Sequence, residues 1–210
     1  MTDSLSTSYE VEVEEKINLI ALGNQEVGKT SFILRYINNS FRKVYLSTMG
    51  IDMQIKNITL PENKIYKIFF YDTAGEERFK SISFNVLKYS DGIVLMYDIT
   101  NKKSFDSISG WMESIKESKG DNFPVVLVGN KSDLNEKREV TKEEGKKLAN
   151  NYKIYFFETS NKIGTNVEEC CSKLINKILE KKDKLRKSDT KSYRLSRSVH
   201  IKKKKKNCQC

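Results

Sequence analysis

Hydrophobic positions in this chain gather in short dense runs separated by longer, mixed stretches. Ile17-Asn18-Leu19-Ile20-Ala21-Leu22, Ile68-Phe69-Phe70-Tyr71, Val125-Val126-Leu127-Val128-Gly129 and Ile154-Tyr155-Phe156-Phe157 read as buried strands. The full set of expected strands is 16–22, 52–60, 64–71, 92–98, 124–129 and 153–158. Between them the period lengthens. Helices are expected over 29–38, 104–118, 141–151 and 165–182, with a short one within 77–88. In 104–118, Phe105, Ile108, Trp111 and Met112 make a helical stripe and are expected in the core rather than in a site. Pro61-Glu62-Asn63 is a turn signal, so the strands on either side should form an antiparallel hairpin. Elsewhere strands and helices alternate. The expected fold is therefore α/β: one domain, a six-stranded and mostly parallel sheet, and helices on both faces.

Charge changes this picture at one end only. The 210 residues carry 38 Lys/Arg and 28 Asp/Glu, a formal +10. From Lys181 onward there are 13 Lys/Arg against 2 Asp/Glu, which leaves 25 against 26 for residues 1–180. The folded part is thus nearly neutral and the basicity belongs to a tail. With few apolar residues, that tail is expected to be disordered. The organisation expected is a polar extension 1–15, a domain 16–182 and a basic tail 183–210. A basic tail can bind nucleic acid. This one has little aromatic content beyond Tyr193 and ends in Cys208-Gln209-Cys210, which favours a membrane surface. No apolar run approaches the roughly 18 residues of a membrane span. Met1–Glu15 is polar and acidic, unlike a signal peptide. Cys170 and Cys171 fall on a helical pattern and are expected to be inert.

Candidate chemistry sits just after the strands. Gly23-Asn24-Gln25-Glu26-Val27-Gly28-Lys29-Thr30 fits G-x-x-x-x-G-K-[ST], followed by Ser31 on a helical pattern. Alone, such an octapeptide can be an ordinary turn. Strand, glycine loop and helix in this order are the context of a phosphate-binding loop. Glycines let backbone amides close on phosphate, and the helix start adds partial positive charge. Lys29 would reach the β- and γ-phosphates, and the Thr30 hydroxyl would hold Mg²⁺. Asp72-Thr73-Ala74-Gly75 ends a second strand, where Asp72 would be a water-mediated Mg²⁺ partner and Gly75 would offer its amide to a γ-phosphate. Asn130-Lys131-Ser132-Asp133 ends a third. An aspartate there can accept both guanine N1 and N2 protons, which adenine cannot match. Glu158-Thr159-Ser160-Asn161-Lys162 ends a fourth, and Ser47-Thr48-Met49-Gly50-Ile51-Asp52 precedes the second strand. Ligands of open α/β sheets lie at such carboxyl ends.

With these segments the chain resembles the small GTPases of the Ras superfamily, and within them the Rab family, from about residue 16 to the end. Tyr45 to Asp52, Asp72 to Phe79 and Gly92 to Thr100 carry the Rab-like traits. The resemblance implies a GTP/GDP switch with Mg²⁺ held by Thr30, Thr48 and Asp72. It implies catalytic roles for Lys29, Gly75 and residue 76, and nucleotide contacts from residues 23–31, Phe41, Thr48, Gly75, Asn130, Lys131, Asp133, Ser160, Asn161 and Lys162. Phe41 would stack on the guanine edge; loop packing is the alternative. Two segments, about 41–52 and 74–88, would order on γ-phosphate and loosen on hydrolysis. Cys208 and Cys210 would carry two geranylgeranyl groups. The implied partners are an exchange factor, a GTPase-activating protein, a GDP-dissociation inhibitor and effectors reading 41–53 and 71–88. The implied place is the cytoplasmic face of an intracellular membrane, cycling with cytosol, with a role in vesicle trafficking and no nucleic acid.

Departures from the family pattern sharpen the reading. The family usually has Gln after Asp-Thr-Ala-Gly to orient the attacking water; here it is Glu76. A carboxylate cannot donate as an amide can, and it adds negative charge near the γ-phosphate. At ~4 Å like charges cost about 1 kcal/mol in water and about 4 at an effective dielectric of 20. Gln25 and Glu26 stand where most Rabs have a small residue and then Gly. Slow hydrolysis is the expectation. A GTP-binding membrane scaffold with little hydrolysis is the alternative; an ATP-dependent P-loop enzyme is disfavoured by Asp133. Met53 and Tyr71 replace the usual effector-facing aromatics, and Asn161 replaces the Ala usual after Ser160. Because that loop works through its amides, guanine binding should survive.

Overall fold

The computed structural model describes residues 15–41, 48, 50–60, 64–73 and 86–206, with side chains through Lys187. Six strands form one sheet: β1 (Glu15–Leu22), β2 (Ile51–Leu60), β3 (Lys64–Thr73), β4 (Gly92–Asp98), β5 (Val125–Asn130) and β6 (Tyr155–Glu158). Their order is β2-β3-β1-β4-β5-β6. Only β2 and β3 are antiparallel, in register from Ile51↔Thr73 to Leu60↔Lys64, as expected of the hairpin. The other neighbours are parallel.

Period-two alternation explains the two cores. On β1, Ile17, Leu19 and Ala21 face one side while Ile20 and Leu22 face the other. β4 does the same with Val94 and Met96 against Ile93, Leu95 and Tyr97. Each face needs helices over it. The first is covered by α1 (Lys29–Asn38), through Phe32, Ile33 and Tyr36, and by the long last helix α5 (Val167–Lys206). On α5, Val167, Cys170, Cys171, Leu174, Ile175 and Ile178 recur at helical spacing. Cys170 and Cys171 are fully buried thiols pushed far above the usual range by burial, which keeps them unreactive. The second face is covered by α2 (Lys102–Asp106), α3 (Ile108–Lys119) and α4 (Lys142–Tyr152). α4 starts on a capping box between Thr141 and Glu144.

Three differences from the expected boundaries have a local cause. The helix expected over 104–118 is two pieces, because Ser107 Oγ turns back to donate to the Lys103 carbonyl at 2.9 Å. The strand expected from 153 starts at Tyr155, since Lys153 takes a left-handed conformation (φ 56°) that ends α4. The helix expected to stop at 182 runs to Lys206. No Gly or Pro after Gly164 interrupts it before Lys206, and Lys182 and Arg186 still hold the Lys16 carbonyl and Glu15. The buried apolar stripe of α5 ends at Ile178, and a helix without such a face is marginal in water. Among the described residues no helix is long and apolar enough to cross a membrane. Of the helix expected within 77–88, only the last turn, with buried Leu87, falls among the described residues.

Leu174 is fully buried between α5 and the sheet. Leu174→Ala should cost about 2–5 kcal/mol and lower the melting temperature accordingly. A shift of less than one degree in thermal unfolding would mean that α5 is not part of the cooperative core.

Candidate functional site

Because five strands run parallel, their carboxyl ends share one edge of the sheet. β1 lies where the order reverses, with β3 on one side and β4 on the other. That is where open α/β sheets hold ligands. The chain leaves β1 through Gly23 at φ 135°. A Cβ there would lie 2.2 Å from the Met96 carbonyl of β4, so only glycine fits. Gly28, at φ 96°, precedes α1 without a side-chain cap, and the first turn of α1 has no acidic residue. Its amides are therefore left for an anion. Val27 is buried and pins the loop from below, while Gln25 and Glu26 are exposed at its mouth.

Lys29 is 5% exposed and folds back under the loop, with Nζ donating to the Gly23 and Asn24 carbonyls at 3.0 and 2.9 Å. Burial lowers its pKa from the ordinary 10.5 to about 8, against the opposing pull of Asp72. Burial also raises the Asp72 carboxyl, with hydrogen bonds from Thr30 and Thr48 and the charge of Lys29 working against it. Thr30 donates to Asp72 Oδ2 at 2.6 Å; Thr48 reaches the same oxygen at 3.2 Å and Thr30 Oγ1 at 2.9 Å. Asp72 Oδ1 is buried without a partner among the described residues. Two hydroxyls and a carboxylate on one point, with an acceptor to spare, are the hard oxygen donors that suit Mg²⁺. Residues 30, 48 and 72 thus come together.

Asparagine and lysine side chains build the other end. Asn130 is buried, donates to the Val27 carbonyl at 2.8 Å and accepts from Thr159 Oγ1 at 3.1 Å. Lys131 adopts φ 66° and pairs with Asp98 at 2.6 Å. Asp133 Oδ1 accepts from Ser160 Oγ at 2.6 Å. Asn161 is 4% exposed and donates to the Gly28 carbonyl at 2.9 Å; Lys162 is exposed beside it. Phe41 is exposed beyond α1. Gly75, Glu76, Cys208 and Cys210 lie outside the described residues.

Several supporting residues were not expected. Asp98 positions Lys131, and its place at the end of β4 was the available signal. Trp111 is in the core as expected, yet its indole donates to Asn24 Oδ1 at 2.9 Å, and Asn24 donates to Ser107 Oγ at 3.0 Å. The loop is thereby tied to α3, a contact between distant segments that periodicity cannot reveal. Arg35 on α1 holds the Asn161 and Lys162 carbonyls at 2.8 and 2.9 Å.

A glycine loop at the switch point, a hard-oxygen cluster beside it and an Asn-Lys-x-Asp segment across from it define a P-loop guanine-nucleotide-binding protein. The Ras family profile matches residues 18–180. The Ras-related protein Rab-13 of Canis lupus familiaris is 46% identical over 163 residues, 78% of this chain and 80% of the relative. Rab-8B of Homo sapiens is 44% identical over 78% of each chain, and Rab-3 of Caenorhabditis elegans 38% over 91% and 89%. The chain belongs to the Ras family and, within it, to the Rab small GTPases, the GTP-binding proteins of vesicle transport.

The Lys29 shift has a measurable sign. Phosphate should return its pKa toward the ordinary value. Above pH 8 the free protein then holds a neutral amine, and GDP binding takes up a proton. Affinity should fall as pH rises through about 8, by up to about tenfold per unit for one proton. Calorimetry in buffers of different ionisation heat should show proton uptake at pH 8.5 that shrinks toward pH 7.5. Equal heats in all buffers at pH 8.5 would rule the linkage out.

Proposed function

We propose that this protein is a membrane-attached Rab switch with slow GTP hydrolysis. The observation that carries this reading is the contact of Thr48 with Thr30 and Asp72. Thr48 belongs to the stretch between α1 and β2, so the occupancy of the phosphate site is felt by that stretch. Thr30, Thr48 and Asp72 are the residues to hold Mg²⁺, and Gly75 the amide to meet the γ-phosphate. Mg²⁺ when bound supplies charge neutralisation on the β,γ-phosphates. Lys29 adds its own charge there after leaving the Gly23 and Asn24 carbonyls. Asn130, Lys131 and Asp133 read the base, assisted by Ser160, Asn161 and Lys162, with Phe41 at the guanine edge. Segments 41–52 and 74–88 then order and loosen with nucleotide state.

The slow rate is argued from residue chemistry. Glu76 stands where the family uses an amide to orient water. Gln25 and Glu26, exposed at the loop mouth, add bulk and charge beside the γ-phosphate. The same three residues favour a second reading, a scaffold that binds GTP and scarcely hydrolyses it. Effectors are expected on β2 and β3, where Met53 and Ile55 are each 43% exposed and lie opposite Tyr71 and Phe69. Met supplies an adaptable contact there. Exchange factor, activating protein and dissociation inhibitor follow from the family. Anchoring is assigned to prenylation of Cys208 and Cys210 next to Lys202–Lys206. Stable attachment takes two signals, and each basic residue near an anionic leaflet adds about 1 kcal/mol. The protein would then sit on the cytoplasmic face of an intracellular membrane and exchange with cytosol.

Single-turnover GTP hydrolysis tests the switch. Glu76→Gln should be faster than wild type, and an unchanged or lower rate would clear Glu76 as the obstacle. For the anchor, replacing Cys208 and Cys210 with Ser should move the protein to the soluble fraction while GDP binding persists. Sedimentation of that variant with membranes at high salt would make a protein partner the anchor.

A further inference from the structure

Two consecutive carbonyls of the phosphate loop are held from across the site. Asn130 Nδ2 donates to the Val27 carbonyl at 2.8 Å, and Asn161 Nδ2 donates to the Gly28 carbonyl at 2.9 Å. Peptide groups are planar, with C=O and N–H opposed. Fixing the Val27 oxygen therefore fixes the direction of the Gly28 amide, and fixing the Gly28 oxygen fixes that of Lys29. Those amides line the start of α1, where phosphate is bound.

Asn130 is part of the base-reading segment. Asn161 occupies a position where the family commonly has alanine, which has no side-chain donor. The amide of Asn161 is 4% exposed, and its Oδ1 has no partner among the described residues. Its orientation is set by the Gly28 carbonyl, since the flipped amide would place oxygen against oxygen. The backbone of the same residue is gripped from α1. Arg35 Nε donates to the Asn161 carbonyl at 2.8 Å, and Arg35 also reaches the Lys162 and Asn39 carbonyls, each at 2.9 Å. The links close a ring: Gly28 opens α1, α1 carries Arg35, Arg35 holds residues 161–162, and Asn161 returns to Gly28.

We propose that Asn161 is a nucleotide-retention residue. Its side chain couples the base-reading loop to the phosphate loop, so base and phosphates are released together and dissociation is slowed. This rests on the guanine-nucleotide reading of the site. Asn161 acts through Gly28 and is a positioning residue, not a catalytic one.

The test is release of a fluorescent GDP analogue into excess GDP, followed by stopped flow on the full chain. Asn161→Ala introduces the residue family members commonly carry and should fold. Asn161→Asp keeps the size of the side chain and removes the donor. Both should release the analogue roughly five- to tenfold faster, the effect of one hydrogen bond, with association within about twofold of wild type. The increase should be equal in Mg²⁺ and in EDTA, because the link does not involve the metal oxygens. Release from Asn161→Ala within twofold of wild type overturns the proposal. So does wild-type release from Asn161→Asp beside fast release from Asn161→Ala, which would make packing the cause. An effect confined to Mg²⁺ buffer also overturns it. Failure of the wild type to bind the analogue would instead remove the guanine reading itself.

Discussion

The passage of the chain from β1 across β4 is the constraint on which the rest depends. At Gly23 the loop lies so close to the Met96 carbonyl that no Cβ can be placed. The close approach fixes where the chain leaves β1, and five residues later Gly28 opens α1. From there the positions follow. Lys29 starts the helix and curls under the loop. Thr30, one residue on, points toward the end of β3. The strand order supplies Asp72 on that side and Asp98 on the other, because β3 and β4 flank β1 in parallel.

What holds the loop is a set of side-chain amides and an indole rather than apolar packing alone. Asn130 and Asn161 take its carbonyls, Trp111 takes Asn24, and Thr73 on β3 donates to the Ala21 carbonyl of β1 at 2.8 Å. Donors come from β5, the β6 loop, α3 and β3, so the phosphate loop is tied to most of the sheet edge. Buried hydrogen bonds of this kind specify one arrangement because each lost partner leaves a polar group stranded. Preorganised amides are what phosphate binding and phosphoryl transfer need, since little covalent chemistry falls to the protein.

The sequence made much of this legible. Strands with strong apolar runs appear within one or two residues of expectation, because alternation and length leave few alternatives. The hairpin between β2 and β3 was legible from Pro61 to Asn63. Thr30, Thr48 and Asp72 could be grouped in advance because their motifs place them at the start of α1, just before β2 and at the end of β3. Other features are tertiary. Nothing local marks Trp111 as a donor to Asn24, or Arg35 as the grip on residues 161–162. Asn161 was visible as a departure from a family pattern, but its partner, 133 positions away, was not. α5 extends past the boundary read at 182, where the apolar stripe has already stopped near Ile178 and no Gly or Pro ends the helix.

Polar strain within the site points to how the ligand acts. Among the described residues, three buried side-chain polar atoms have no partner, and two of them, Asp72 Oδ1 and Asn161 Oδ1, belong to this site. An unsatisfied buried group costs about 1–3 kcal/mol. The ionised forms of Lys29 and Asp72 are both disfavoured by burial, one pushed down and the other up. Their mutual attraction only partly offsets that cost. A polyphosphate bound as proposed would place negative charge against Lys29, and a cation accompanying it would place positive charge against Asp72. Both groups would then be favoured in the charged state that burial alone disfavours. The site therefore couples ligand binding to stability more strongly than contacts alone would imply, in line with stabilisation by whatever binds only the native state. Thr48 shares hydrogen bonds with the same carboxylate. A change in what Asp72 faces is therefore met by Thr48, and the exposed apolar pair Met53 and Ile55 begins five residues further along the chain.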